Sequence, residues 1–394
     1  MNINYLHNIR QGYGYAFFAY FGITSLWVIY LQTKGLTLVE IGLCESIFHI
    51  ASVLFELPTG VLADRFSYRI VLIGGRLAAI ISAILMILGQ HFWLFAVGFI
   101  FQALSYNLQS GTIDALLYDS LSLSRRTQAY PAVISHTNMI YELADNCGVL
   151  IAGFLVHWHF VWTYGIAIVV AILAIGMVLF MKEPSLPRST EKPLSIIKII
   201  QLAYHTLKTK PLLRRLMLYH ALFATFCTTY YFYFQTVMTA NHFPGWLISI
   251  LLVVSASLNI LGMQFAPKVM STIARPRLLM GLALILAGSL VGNFGQKIWL
   301  LCGLFFLIQI LGALVEPIFS TYYNAHIRSE ERATVLSVAS LLFSAAMIGL
   351  FPVIGWLIDQ IGFAGTFGSV GIGVLLVSLL VKGYSFWQDK KSVN

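Results

Sequence analysis

The sequence predicts an all-α integral membrane protein of 12 transmembrane helices, arranged as two six-helix, pseudo-symmetric halves. Three observations carry that expectation: composition, the spacing of apolar runs, and the sidedness of the basic residues. The chain of 394 residues is 59% hydrophobic and 10% charged, with a mean hydropathy of +0.83. A soluble domain carries about 25% charged residues, so the soluble classes are excluded. A net charge of +9 would suggest nucleic acid in a soluble protein. Here its distribution reports membrane topology instead, with attraction to anionic lipid as a by-product.

A spanning helix needs about 20 mostly apolar residues. On that rule the spans fall at 13–32, 38–62, 70–90, 92–118, 131–156 and 161–181. After a polar stretch they resume at 212–238, 245–268, 276–295, 298–324, 333–358 and 363–383. With both termini in the cytoplasm, only Lys34 and Lys297 of the 24 Lys and Arg residues lie on the outer side. That asymmetry is what the positive-inside rule requires. The polar stretch from Met1 to Gln11 leads into an aromatic span without a small-residue cleavage site, so no removable signal is expected. Cys44, Cys147, Cys227 and Cys302 lie far apart within apolar runs and are read as buried free thiols rather than as disulfide or metal ligands.

The domain division follows from the one long connection. Residues 1–181 form an N-terminal six-helix bundle, 182–211 a cytoplasmic linker and 212–394 a C-terminal six-helix bundle. Pro184, Pro187 and Pro193 break the start of the linker. Ile196, Ile199, Ile200, Ala203 and Leu207 then recur at helical spacing, which suggests an amphipathic helix lying in the membrane interface. A solvated linker is the alternative. The fourth and tenth spans end alike, in Asp114-Ala-Leu-Leu-Tyr118-Asp119 and in Glu316 through Tyr323-Asn324, and basic residues follow each.

Polar stripes identify the helices around a central site, because a charge facing hydrocarbon is expensive. Glu45, His49, Ser52 and Glu56 share one face of the second span; Asn107, Ser110, Asp114 and Tyr118 stripe the fourth; Asn138, Glu142 and Asp145 stripe the fifth. The second half offers His220, Cys227, Tyr231 and Gln235 on the seventh span, Glu316, Ser320 and Tyr323 on the tenth, and Ser337, Ser340 and Ser344 on the eleventh. The first span shows a largely aromatic face with Tyr20 and Thr24. The third, sixth, ninth and twelfth spans are apolar nearly all round, apart from Arg76, which is read as lying near one end. Every third helix is thus lipid-like, the organisation of three-helix repeats around a midplane site.

Between the second and third spans stands Glu56-Leu-Pro-Thr-Gly60-Val-Leu-Ala-Asp64-Arg65-Phe-Ser67-Tyr68-Arg69. It resembles the loop between helices 2 and 3 of the major facilitator superfamily, whose pattern is Gly-x-x-x-Asp-(Arg/Lys)-x-Gly-(Arg/Lys)-(Arg/Lys). Gly60, Asp64, Arg65 and Arg69 match, whereas Ser67 replaces a Gly and Tyr68 a basic residue. The endings of the fourth and tenth spans also look like those of bacterial members of efflux type. The resemblance implies a twelve-helix transporter of the cell membrane, working by alternating access, with Glu56, Gly60, Asp64, Arg65 and Arg69 as a gating segment. Two features depart from it: Asn107 stands where many proton antiporters carry an Arg, and Gly148 and Gly153 lack the Pro that export members often carry in the fifth span.

The function expected is proton-coupled export of small amphipathic or cationic compounds. Glu142, Asp145, Asp114 and Glu316 are the coupling candidates, since burial and neighbouring carboxylates let acids exchange protons near neutral pH. Glu142 and Asp145, one turn apart, come first. Tyr20, Thr24, Glu45, His49, Asn107, Asn138, Tyr231 and Gln235 are expected to line the cavity. For Glu56 and Asp114 a structural pairing with Arg65, Arg69, Arg76 or Arg126 is favoured, and the histidines read as packing residues. Proton-coupled uptake of a small polar nutrient is the alternative, and a lipid scramblase or membrane-embedded enzyme a more distant one. No nucleophile–base spacing, metal cluster or phosphate-binding Gly loop appears, so neither catalysis nor a cofactor is expected. The partners expected are a small-molecule substrate, protons and the bilayer, with no nucleic acid, for a monomer.

Overall fold

A computed structural model gives the architecture. It describes residues 5–156, 158–184, 201, 204–205, 207–326 and 332–391, with side chains described for these except at 57–58, 60–65, 324, 326, 332–335 and 381–391. Among the described residues every regular element is a helix. In the first half these are α1 (His7–Ala19), α2 (Trp27–Thr33), α3 (Leu38–Arg65), α4 (Tyr68–Leu88), α5 (Phe92–Gln109), α6 (Thr112–Leu123), α7 (Tyr130–Leu155) and α8 (Trp162–Leu179). The second half holds α9 (Pro211–Ala240), α10 (Gly245–Thr272), α11 (Arg275–Val291), α12 (Ile298–His326) and α13 (Arg332–Lys391). Within α13 the chain turns at Gly362 (φ 74°, ψ 165°), a conformation open to Gly alone, and this divides the last two spans. Among the described residues, seven helical stretches are long and apolar enough to cross a bilayer by length and composition.

Two spans expected to be continuous are broken. The first stops at Ala19 and resumes at Trp27. In between, the Gly22 amide donates to the Ala144 carbonyl of α7 (3.5 Å) and the Ser25 amide to the Gly22 carbonyl (3.2 Å), so the backbone finds partners without a helix. Non-helical backbone at membrane depth is tolerated only where protein or a cavity surrounds it. The fourth span stops at Gln109, passes through Gly111 in the left-handed region (φ 74°), and restarts as α6. Open space surrounds a β-carbon at Gly111, so it is the dihedral that calls for glycine there.

The chain forms two compact units. One comprises Met1–Leu36, Leu43–Gln201 and Pro244–Val253, the other Thr37–Gly42, Leu202–Phe243 and Val254–Asn394. In the first, Tyr15, Leu72, Leu116, Leu117, Val133 and Val178 join α1, α4, α6, α7 and α8 in one core. Asn8 fixes that core: its amide donates to the Ser120 hydroxyl (2.8 Å) and the Lys182 carbonyl (2.7 Å), and it accepts the Lys182 amide (2.8 Å). The second unit packs on a cluster of aromatic rings, with Tyr230, Phe234, Phe305, Phe363 and Phe367 paired at centroid distances of 4.6–5.8 Å, some stacked and some edge-on or tilted. The Tyr230 hydroxyl finds Asn293 at 2.9 Å. Outer faces are apolar, as with Ile70, Leu77, Ile81 and Leu88 along α4, and Trp93, Trp158 and Trp299 are among the most exposed aromatics.

The linker expected at 182–211 falls mainly outside the described residues, and the interfacial helix with it. Of the segment expected as the loop between the second and third spans, Gly60, Asp64 and Arg65 belong to the last turns of α3, and the surroundings of Gly60 and the side chains of Asp64 and Arg65 lie outside the described residues. Ser67, which stands where the resembling pattern has Gly, is the N-cap of α4, its hydroxyl accepting the Ile70 amide (3.2 Å).

Candidate functional site

Each unit carries an open cavity near its sequence candidates. The one in the second unit, about 490 Å³, lies among α9, α10, α12 and α13. His220 of α9 sits about 14 Å along its helix, and Glu316 about 15 Å from the end of α12, at 1.5 Å per residue. Those two depths meet: His220 Nε2 is 3.0 Å from Glu316 Oε2. His220 Nδ1 is 3.1 Å from the Tyr323 hydroxyl, and the imidazole stacks on Phe319 at 4.7 Å and 7°. The ring is therefore fixed on both edges and one face. The Glu316 side chain is 68% exposed and that of His220 14%.

This arrangement keeps its contact in two states that differ by one proton. With Glu316 ionised, Nε2–H donates to the carboxylate and Nδ1 accepts the Tyr323 hydroxyl. With Glu316 protonated, its O–H donates to Nε2. The contact survives both states, which suits a group that must take up and release a proton while its surroundings change. Around it, Gln309 donates to the Cys227 carbonyl (3.2 Å), and the Asn259 amide donates to the Ser255 and Gln309 carbonyls (3.3 and 3.0 Å). Ser320 and Ser340 complete a polar lining.

The cavity of the first unit, about 270 Å³, opens beside the break in the first span. Phe18, Phe21, Trp27, Phe48, Phe99 and Tyr164 form its walls, with Thr24, Glu45, Arg76 and Gln102 as polar members. Arg76 was expected near one end of its span. It is the ninth residue of α4, about 12 Å in, and only 5% exposed. Its guanidinium donates to the Ala19 carbonyl at the end of α1 (3.0 Å), to the Ser105 hydroxyl (3.0 Å) and to the Gln109 side-chain oxygen. The expectation that places Arg76 near one end of its span is corrected on this point. Glu45 and His49 lie 3.5 Å apart on α3.

The other sequence candidates are dispersed. Glu142 and Asp145 are both exposed on α7, and Asp145 accepts the Ser25 hydroxyl at 3.4 Å. Asp114 occupies the first turn of α6, where the helix dipole favours an anion, with Oδ1 buried and unpartnered. Neither Asp114 nor the exposed Glu56 forms an ion pair among the described side chains. Arg69 reaches the Val178 and Leu179 carbonyls at the end of α8 (3.2 and 2.9 Å). Asn107 pairs with Ser52 (2.8 and 3.2 Å) and so joins α5 to α3. Tyr20 stacks on Tyr141 at 3.8 Å and Tyr231 on Phe305 at 6.1 Å, while Asn138 is exposed and Gln235 fully buried. Of the lining candidates, Thr24 and Glu45 face the first cavity.

Sequence reasoning set aside two residues that these sites need. His220 stood on the same stripe as Cys227 but 96 positions from Glu316; matching their distances from the start of α9 and the end of α12 would have paired them. Arg76 required counting from the true start of its helix at Tyr68 rather than from the first apolar residue.

Comparison with known proteins bears on the same architecture. The model of the Major Facilitator Superfamily matches residues 12–292. The uncharacterized MFS-type transporter YxaM of Bacillus subtilis (strain 168) is 25% identical over 195 residues, covering 47% of this chain and 44% of that protein. The match thus spans less than half of the relative's length. Among solved structures, the nucleoside transporter NupG gives a TM-score of 0.68 at 16% identity, over 96% of this chain and 99% of that one. A POT family transporter in complex with 5-aminolevulinic acid gives 0.68 at 13%, over 96% of each chain. A D-xylose-proton symporter gives 0.62 at 14%, over 95% of each. At these identities the likeness is one of fold.

Proposed function

The chain belongs to the Major Facilitator Superfamily, and on that premise we propose that it is a proton-coupled transporter of small amphipathic solutes, with Glu316 and His220 as its coupling pair. The observation that supports this reading most is the 3.0 Å contact between His220 and Glu316 beside an open polar cavity. Proton-coupled transport requires a site that changes protonation as it changes exposure. A carboxylate that shares its proton with a neighbouring imidazole, and is itself solvent-accessible, has that property. The aromatic walls of the other cavity support an amphipathic cargo. Export in exchange for protons is the first reading, with a cell-membrane location and both termini in the cytoplasm.

Uptake of a polar solute together with protons is the second reading, and one observation favours it. The cavities carry Gln102, Arg76, Asn259 and Gln309, a richer hydrogen-bonding set than the apolar spans suggested. Liposomes containing the purified protein and a trapped pH reporter distinguish the two. On adding aromatic cations, aromatic carboxylates and polar neutral solutes outside, exchange drives protons outward and symport drives them inward. No proton movement with any class, in vesicles shown to transport one of them, would refute coupling.

A further inference from the structure

The first cavity contains a buried positive charge that no described carboxylate pairs with directly; the Tyr15 ring lies 5.9 Å from it. Arg76 is 5% exposed, and its three acceptors, the Ala19 carbonyl, the Ser105 hydroxyl and the Gln109 amide oxygen, are all neutral. Its Nε–H is buried without an acceptor. Among the described residues no carboxylate forms an ion pair with it; the recorded partner of Glu45, on the same cavity, is His49. The carbonyl end of a helix carries about half a unit of negative charge, so the end of α1 offsets about half of the guanidinium's charge. Burial of the remainder is unfavourable unless a counter-ion completes the site. The cavity beside it is where that counter-ion can enter.

The walls say what else the ligand carries. Six aromatic side chains surround a volume of about 270 Å³, at or just below the low end of the range of about 300–1,000 Å³ for small-molecule sites. A single ring or a short alkyl chain fits; a larger body does not. We propose that this cavity binds a small aromatic or aliphatic monocarboxylate, with its carboxylate on Arg76 and its apolar body against Phe18, Phe21, Trp27, Phe48 and Phe99. An amino or hydroxyl substituent would find an acceptor in Glu45. The proposal names the substrate class of the transport reading and rests on that reading for the ligand being cargo, but the binding itself requires no gradient.

The test is equilibrium binding to the purified protein in detergent, by calorimetry and by thermal shift. The probes are benzoate, phenylacetate, 3-phenylpropionate and octanoate, each beside its carboxamide. At least one acid is expected to bind tenfold or more tightly than its amide. Arg76→Gln should remove that preference, with Arg76→Lys keeping part of it. Should Arg76→Gln fail to fold, Thr24→Trp, which fills the cavity and leaves the guanidinium in place, should abolish binding. Acids and amides that bind alike, no binding by any of the four acids, or a preference that survives Arg76→Gln would each overturn the proposal. Its failure is separable from failure of the coupling reading. Absent acid binding with intact proton movement in liposomes sinks the carboxylate site alone, and acid binding without proton movement sinks the coupling pair alone.

Discussion

Gly148 of α7 lies against the backbone of Gly22 so closely that a β-carbon on Gly148 would collide with the Gly22 amide nitrogen. Gly22 is crowded from the same helix, since a β-carbon on it would meet Asp145 of α7. The break in the first span is thus held by α7, which supplies the Ala144 carbonyl and the Ser25–Asp145 hydrogen bond as well.

Gly148→Ala should therefore destabilise the protein. Inserting a methyl group into close backbone contact costs about 1–3 kcal/mol, expected as a lowered thermal midpoint in detergent. Gly176→Ala is the control, since a β-carbon on that α8 residue meets nothing within 4 Å. It should leave the midpoint unchanged or slightly raised, as alanine is the better helix former. Equal effects of the two substitutions would show that the contact with Gly22 is not tight.

Arg69 and Glu183 make a second pair that invites measurement. Glu183 accepts the Tyr68 and Arg69 amides at the start of α4 (2.8 and 3.2 Å), while the Arg69 guanidinium caps the end of α8. Each charge answers the helix end of opposite polarity. Hydrogen bonds to charged groups contribute about 1.5–3 kcal/mol, so Arg69→Gln and Glu183→Gln should each lower stability by an amount in that range. The double variant should lose less than the two losses added together, because the groups share one junction. Strict additivity in a double-mutant cycle would argue that the two caps act independently.

The spans were legible because apolar runs of bilayer length leave few alternatives, and the Ser67 and Gly362 punctuation fell where those runs stopped. The breaks at Gly22 and Gly111 were not. Gly is common inside membrane helices, and nothing local marks these two. What interrupts the first span is tertiary, namely the Ala144 carbonyl, the close approach of Gly148 and the Arg76 guanidinium on Ala19. The site divides in the same way. Glu316 stood out on its stripe, yet its partner lies 96 positions away in sequence, and pairing of that kind leaves no periodic trace. Asn107 shows the reverse: a polar residue on a promising stripe whose hydrogen bonds go to Ser52 of the adjacent helix.

Topology has its own test. By the positive-inside rule, the distribution of basic residues predicts both termini and the connection around Ser124 in the cytoplasm, and the connections at Lys34 and His242 outside. Single-cysteine reporters at Lys34 and His242, in a background lacking the four native cysteines, should react with an impermeant maleimide on intact cells. A reporter at Ser124 should react only after permeabilisation. The opposite pattern would invert the depth assigned to every residue above.

The remaining prediction concerns which carboxylates carry the proton. Glu142 and Asp145 are one turn apart on α7, but both are exposed, and no hydrogen bond joins them among the described residues. Asp145 holds Ser25 at the break, a positioning contact. Glu316 instead touches an imidazole that can take its proton. Glu316→Gln should abolish acceleration by a pH gradient while leaving substrate exchange between compartments of equal pH. Exchange needs only that the loaded site reorient, whereas net transport needs the proton to leave. His220→Ala should have the same effect by removing the acceptor. Tyr323→Phe deletes one neutral hydrogen bond, worth about 1 kcal/mol, and should slow gradient-driven transport only several-fold. Asp145→Asn and Glu142→Gln should keep gradient dependence, with Asp145→Asn lowering stability. If Glu142→Gln uncouples transport and Glu316→Gln does not, the proton site belongs to α7, and the His220–Glu316 contact serves only to pack α9 against α12.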